Sequence, residues 1–229
     1  MHRVIFSVLL IFLCAGTAFA QDWTAAEFKK ADTGEFVSYL TDDEKDVIFY
    51  MNLIRLDGDK FFNTYIQDYV TAYNESVKRY RNYNQLKITL DNSYYKSLRT
   101  HLQRVKNFPL FFPDEKLTRA SRNHAIDLKI HNIDTHEGSN GDSFAKRLSK
   151  YFPNKVVSEN IDFGYNKGLD IVCHLLLDCG VPSLGHRYTI LDQKYNLNLV
   201  GVNIQSHPSN KYCTVIDFVA QPTYFSNNK

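Results

Sequence analysis

The chain is poor in cysteine, has no excess charge of either sign, and lacks a second long apolar run. Four cysteines, Cys14, Cys173, Cys179 and Cys213, are spread over 229 residues. None sits at CxxC spacing, which removes a zinc-ribbon or thioredoxin-like reading. Lys and Arg total 27 against 25 Asp and Glu, a formal net charge of +2. A nucleic-acid binder driven by overall charge is therefore excluded. The basic and aromatic stretch at 78–87 (Lys78, Arg79, Tyr80, Arg81, Tyr83, Lys87) reads as a solvated helix face. Catalytic signatures are missing too. There is no GxSxG elbow, no Walker loop and no GxGxxG. His136-Glu137 begins like HExxH, but Asn140 stands where the second histidine belongs, and Gly138 and Gly141 argue against a helix there. Internal repeats and low-complexity linkers are also absent.

The one apolar run, Val4 to Gly16, follows a basic Met1-His2-Arg3 and precedes Ala18-Phe19-Ala20. It falls well short of the roughly 20 residues that span a bilayer. This pattern predicts a secretory signal over 1–20, cleaved after Ala20, and a secreted or periplasmic protein with no transmembrane segment. Cys14 offers a lipoprotein alternative, which Leu13 disfavours because a small residue should precede the acylated cysteine. Cleavage leaves three cysteines, an odd number, so at most one bridge forms within the chain. The remaining length suits one domain. Residues 21–40 are predicted as an N-terminal extension that packs in part through Trp23 and Phe28.

Helices are expected first and strands late. Thr41-Asp42-Asp43-Glu44 is a capping box, and Val47, Met51 and Ile54 follow at helical spacing, predicting a helix over 42–56. After a break at Asp57-Gly58-Asp59, helical spacing resumes through Phe62, Ile66, Tyr69 and Tyr73. Further helices are predicted around Tyr94 to Val105, Leu117 to Leu128, 143–151 and 168–178. Then the period becomes two. Val200, Val202 and Ile204, then Tyr212, Thr214, Ile216 and Phe218, flank the turn at 206–210 and predict an antiparallel hairpin. Val47, Met51, Leu128, Val202 and Ile216 are the expected core.

Three polar residues stand in what read as loops: His136, Glu159 and His186. Imidazole and carboxylate together hold a divalent cation or share protons if the fold unites them. Gly185 would turn the backbone before His186. Arg187 either pairs with a carboxylate such as Glu159 or lies exposed on a loop. His124, Asp127 and His131 share a helix face, with His124 expected in the core and His131 in solvent.

The ordered series Leu117-x-x-Ala120-x-x-x-His124-Ala125-x-Asp127-Leu128, His136, Gly141-x-Ser143 with Arg147-Leu148, Ser158-Glu159-Asn160-Ile161 with Gly164, Gly185-His186-Arg187-x-x-Ile190-Leu191 and Val200-Gly201-Val202 resembles the CAP superfamily. That family comprises the cysteine-rich secretory, antigen-five and pathogenesis-related proteins and their bacterial SCP-like relatives. The Gly-His-Arg form and the scarcity of cysteine are similar to its bacterial branch. The resemblance implies an α+β fold, a three-layer α-β-α sandwich with a short antiparallel sheet, over 41–224. It also implies a cleft lined by His136, Glu159 and His186, in which the two histidines and Glu159 hold a divalent cation such as zinc; Asn160, Gly185 and Arg187 are the expected supporting residues around it. The family's second acid has no clear match; Asp178 and Asp170 are candidates, and Ser183 stands in the same region. Residues 68–110 exceed the helix connection of a minimal domain, so this insert is expected as a cleft wall or a partner surface. Two functions follow from the resemblance. One is a non-catalytic binding module for a small apolar, lipid-like or cell-envelope ligand; the other is a hydrolase in which His136, Glu159 and His186 activate water directly or through a metal.

Overall fold

The computed structural model describes residues 22–221. The expected signal, its cleavage site and Cys14 lie outside the described residues. Helix α1 (Ala25–Ala31) and α2 (Asp42–Leu56) each begin on a Thr–Glu capping box, at Thr24 with Glu27 and at Thr41 with Glu44. The break at Asp57 is brief. Its side chain caps α3 (Gly58–Phe61), which runs through a π-helical turn (Phe62–Ile66) into α4 (Gln67–Val77). α5 (Tyr83–Leu86) and α6 (Ser93–Leu102) complete the expected insert. β1 (Phe112–Pro113), α7 (Glu115–His131) and α8 (Phe144–Ser149) lead to β2 (Val157–Phe163). α9 (Gly168–Leu177), α10 (Gly185–Ile190), β3 (Leu199–His207) and β4 (Lys211–Val219) end the described chain.

The strands form one sheet in the order β1-β3-β4-β2. β3, β4 and β2 are antiparallel neighbours, while the two residues of β1 pair with β3 in parallel. Helices cover both faces, so the predicted sandwich is present. On one face Val200, Val202, Ile204, Ile216 and Phe218 join the main core with Val47, Met51 and Leu176 from α2 and α9. On the other, α7 lays Leu117 and Ala120 on Val219, and Ala125 and Leu128 on Ile161 and Val215. All five expected core residues are fully buried.

Gly201 lets α7 come this close. A Cβ there would stand 2.3 Å from the Leu117 carbonyl carbon and the Thr118 nitrogen. At the free edge of β3, Glu44 Oε1 accepts from Asn203 Nδ2 (2.7 Å) and Ile204 N (3.0 Å), so the capping residue of α2 also covers an open strand edge. The stretch before α2 packs on the same core. Trp23 Nε1 donates to Thr64 Oγ1 (3.0 Å), Lys60 pairs with Glu27 (2.8 Å), and Asn52 Nδ2 donates to Ala31 O (3.0 Å).

Candidate functional site

Strand β2 organises the candidate residues. Both segments that read as loops turn out to be ordered elements: Glu159 and Asn160 lie on the edge strand β2, and His186 lies in α10. Alternation along a strand sends successive side chains to opposite faces. Val157, Glu159 and Ile161 point toward α7 and α8; Ser158, Asn160 and Asp162 point toward α9 and α10. The Glu-Asn pair therefore serves two different layers.

On the α7–α8 side, His136 Nδ1 donates to Glu159 Oε1 (2.9 Å) and Arg147 Nη2 donates to Glu159 Oε2 (2.5 Å). Arg147 also donates to His136 O (2.7 Å) and Asp142 O (3.0 Å), which staples the 134–142 loop to the sheet. The Glu159 side chain is fully buried, while that of His136 is 48% exposed. Burial works to raise the Glu159 carboxyl, but the His136 hydrogen bond and the Arg147 charge outweigh it and hold it below the ordinary range. Across the ladder stands Asp217, wholly buried, whose Oδ2 accepts from Ser121 Oγ (2.8 Å). Burial and then the charge of Glu159 push its carboxyl well above the usual range, so it stays protonated. His124 is buried beside this group, as expected, and donates from Nε2 to Thr135 O (3.2 Å), while His131 is exposed.

On the α9–α10 side, His186 Nδ1 donates to Asp178 Oδ1 (2.8 Å), and Asn160 Nδ2 donates to the His186 carbonyl (3.1 Å). Asp178 holds the left-handed cap of α9 at φ 54°. A second pair sits beside the first: His174 Nδ1 donates to Asp162 Oδ1 at 2.5 Å.

Several expectations need correcting. His136, Glu159 and His186 do not assemble as a ligand set. Both Glu159 oxygens are engaged, the two histidines belong to pairs on opposite faces of β2, and no group of three His, Cys, Asp or Glu that could hold a metal occurs among the described residues. The donors thus do not fit a resident cation. Arg187 neither pairs with Glu159 nor lies exposed. It is fully buried and donates to Leu176 O (2.6 Å), Leu177 O (2.9 Å), Ser97 Oγ (2.8 Å) and Tyr94 O (3.2 Å), tying α6 to the end of α9. The tight turn before His186 falls on Leu184, at φ 53°, and Gly185 opens α10. Asp170 is on α9 but joins neither pair, whereas Asp178 does.

Sequence reasoning missed Asp217, Asp162 and His174, and gave Arg147 no role. A signal existed for Asp217, an acid between Val215 and Val219 in a strand apolar on both faces. Asp162 gave none, because β2 was not recognised as a strand.

Beside β2 and α10 runs a groove of about 710 Å³, lined by residues that include Val156, Val157, Ser158, Tyr188, Leu191 and Tyr195. Lys194 stands on its wall, with its ammonium 4.8 Å from the Tyr195 ring centroid. The carboxylate in this wall, Asp192, is spent on the backbone N–H groups of Lys194, Tyr195 and Leu197.

No protein-family model matches the chain, and no curated protein matches it. Two solved structures are similar to it. An outer surface protein from Borrelia burgdorferi shares 20% identity over 56% of this chain and 90% of its own, with a TM-score of 0.43. An extracellular protein containing an SCP domain, from Bacillus anthracis, shares 19% identity over 62% of this chain and 44% of its own, with a TM-score of 0.41.

Proposed function

We propose that the protein is an exported CAP-type binding module that takes a small lipid-like ligand in the groove beside β2 and performs no covalent chemistry. The family reading rests on the ordered motifs, and export rests on the leader pattern. The observation that carries the binding role is the groove itself. Its volume of about 710 Å³ lies in the range of small-molecule sites, its walls are mainly apolar and aromatic, and Lys194 on the wall pairs with no carboxylate among the described residues, its neighbour Asp192 being spent on backbone N–H groups. An apolar chain with an anionic head matches that combination. The hydrogen bonds at Glu159 favour binding over hydrolysis, since a carboxylate locked by Arg147 and His136 is a strut for the loop.

The hydrolase alternative is favoured by one feature: the His136 ring is half-exposed and oriented by a buried carboxylate, as a general base would be. One preparation separates the readings. Mature protein titrated with a fluorescent long-chain fatty acid should bind saturably, and Tyr195→Asp should weaken binding by about tenfold or more through the charge placed in the wall. No saturable binding, together with ester or amide hydrolysis abolished by His136→Ala, would replace this reading with the alternative. Elemental analysis of the same protein should find no stoichiometric zinc.

A further inference from the structure

A second pocket, of about 360 Å³, lies apart from the groove, between the insert and the end of α9. Its lining includes Tyr69, Tyr73 and Tyr94, the amides of Gln85 and Asn92, and two basic residues, Lys87 and His174. Among the described residues no Asp or Glu lines it. The wall is braced in advance, because Arg187 joins Tyr94 and Ser97 of α6 to the terminal carbonyls of α9. Preorganisation of this kind lowers the ordering cost of binding a ligand.

At the back stands the His174–Asp162 pair. Asp162 is 1% exposed, and its Oδ1 accepts a hydrogen bond from His174 Nδ1–H, which leaves Nε2 as the ring nitrogen open to a ligand. Asp162 Oδ2 is buried without a hydrogen-bond partner among the described residues. The half-exposed His174 ring lies against Tyr165 at 5.2 Å between centroids, and the Tyr165 hydroxyl meets that of Tyr69 at 3.3 Å. Burial alone would pull the His174 imidazole down, but the Asp162 hydrogen bond and the charges of Asp162 and Asp178 outweigh it and hold it above its usual value. Lys87 is held by Asn84 Oδ1 (3.0 Å) and pairs with no carboxylate among the described residues.

We propose that this insert-walled pocket binds a small carboxylate carried on a six-membered ring, with the carboxylate taking a hydrogen bond from His174 Nε2 within the field of Lys87 and the ring lying among Tyr69, Tyr73 and Tyr94. Asp162 is a positioning residue: it orients the ring through Nδ1–H and favours the imidazolium, the form in which Nε2 also carries a proton to donate. An acid-free lining with two basic residues selects an anion, and three tyrosines select a ring, by stacking on an aromatic face or a sugar face. The volume suits one small molecule and excludes a long chain. The proposal does not depend on the groove beside β2.

The test is a titration of the mature protein, followed by calorimetry and by the His174 imidazole NMR signal. The probes are 4-hydroxybenzoate, glucuronate and the neutral 4-hydroxybenzamide. At least one acid should bind saturably and move the His174 signal, and the amide should bind about tenfold more weakly, the scale of one charge-assisted hydrogen bond. Whether the aromatic acid or the sugar acid binds better identifies the source of the ring. His174→Gln and Lys87→Gln should each weaken the acid, while Lys116→Gln, which removes a charge on α7 across the sheet, should not. Lys87 is the half-buried C-cap of α5 and its capping bond is made by its backbone, so replacement of the side chain leaves the fold intact and stands if the His174 variant misfolds. Failure of both acids to move the His174 signal, equal binding of acid and amide, or unchanged affinity in Lys87→Gln overturns the proposal.

Discussion

Replacing Asp217 by Asn isolates a proton that the fold keeps on one side chain. Asp217 is 1% exposed and stands across the β2–β4 ladder from Glu159. Its Oδ1 has no partner among the described residues. Glu159, held by His136 and Arg147, carries the negative charge of the pair, so Asp217 stays protonated far above its ordinary value. In the unfolded chain it releases that proton near pH ~3.9. Between that pH and its raised native value, the folded state binds one proton more than the unfolded state. Stability then falls as pH rises, by up to about 1.4 kcal/mol per pH unit from this group alone. Glu159 contributes with the opposite sign: its depressed native value adds stability that is present above its unfolded value and lost as pH falls through the folded one. That term is shared by both proteins and largely cancels in the comparison. Asn cannot titrate, and its neutral amide matches the shape of the protonated acid. The two proteins should therefore be similarly stable near pH ~4, and the variant should gain by about 1–3 kcal/mol toward pH ~6. Urea unfolding at a series of pH values measures this difference. Parallel stability curves for wild type and variant would refute the assignment of the proton to Asp217.

Arg187→Met should cost roughly 2–4 kcal/mol, because it strands the Leu176, Leu177 and Tyr94 carbonyls that the guanidinium satisfies; thermal melts read this directly, and a change within error would mean water replaces it at no cost. Gly201→Ala should destabilise by about 1–3 kcal/mol or more, since its Cβ would press on the backbone of α7, and an unchanged urea midpoint would show that α7 can move away freely. Cys173 and Cys213 are buried and Cys179 is exposed, all three free, so a thiol reagent should modify one group quickly in native mature protein and three after unfolding; fewer than three in the unreduced, unfolded monomer would reveal a bridge.

The helices that begin on strong local chemistry were legible in the sequence. The Thr41–Glu44 box and the apolar spacing after it placed α2 at its observed bounds, because caps and periodicity act over one or two turns. The β3–β4 hairpin was legible from its period of two. β2 was not. Its segment, Val-Ser-Glu-Asn-Ile-Asp-Phe, carries polar residues on both faces, and those residues are tolerated there only because Arg147, His136, Thr189, the His186 carbonyl and His174 receive them.

The sequence by itself determined that helices come first and an antiparallel hairpin last along the chain, the core positions Val47, Met51, Leu128, Val202 and Ile216, and the identity of His136, Glu159 and His186 as residues to watch. Only the tertiary structure decided who meets whom. It paired Glu159 with Arg147 and His136 on one face of β2 and His186 with Asp178 on the other. It buried Arg187 as a brace between α6 and the end of α9, and it brought Asp162 to His174. The physical reason is the alternation of a strand. Neighbours in sequence are sent to opposite sides of the sheet, and each then takes its partner from whichever helix the fold lays over it.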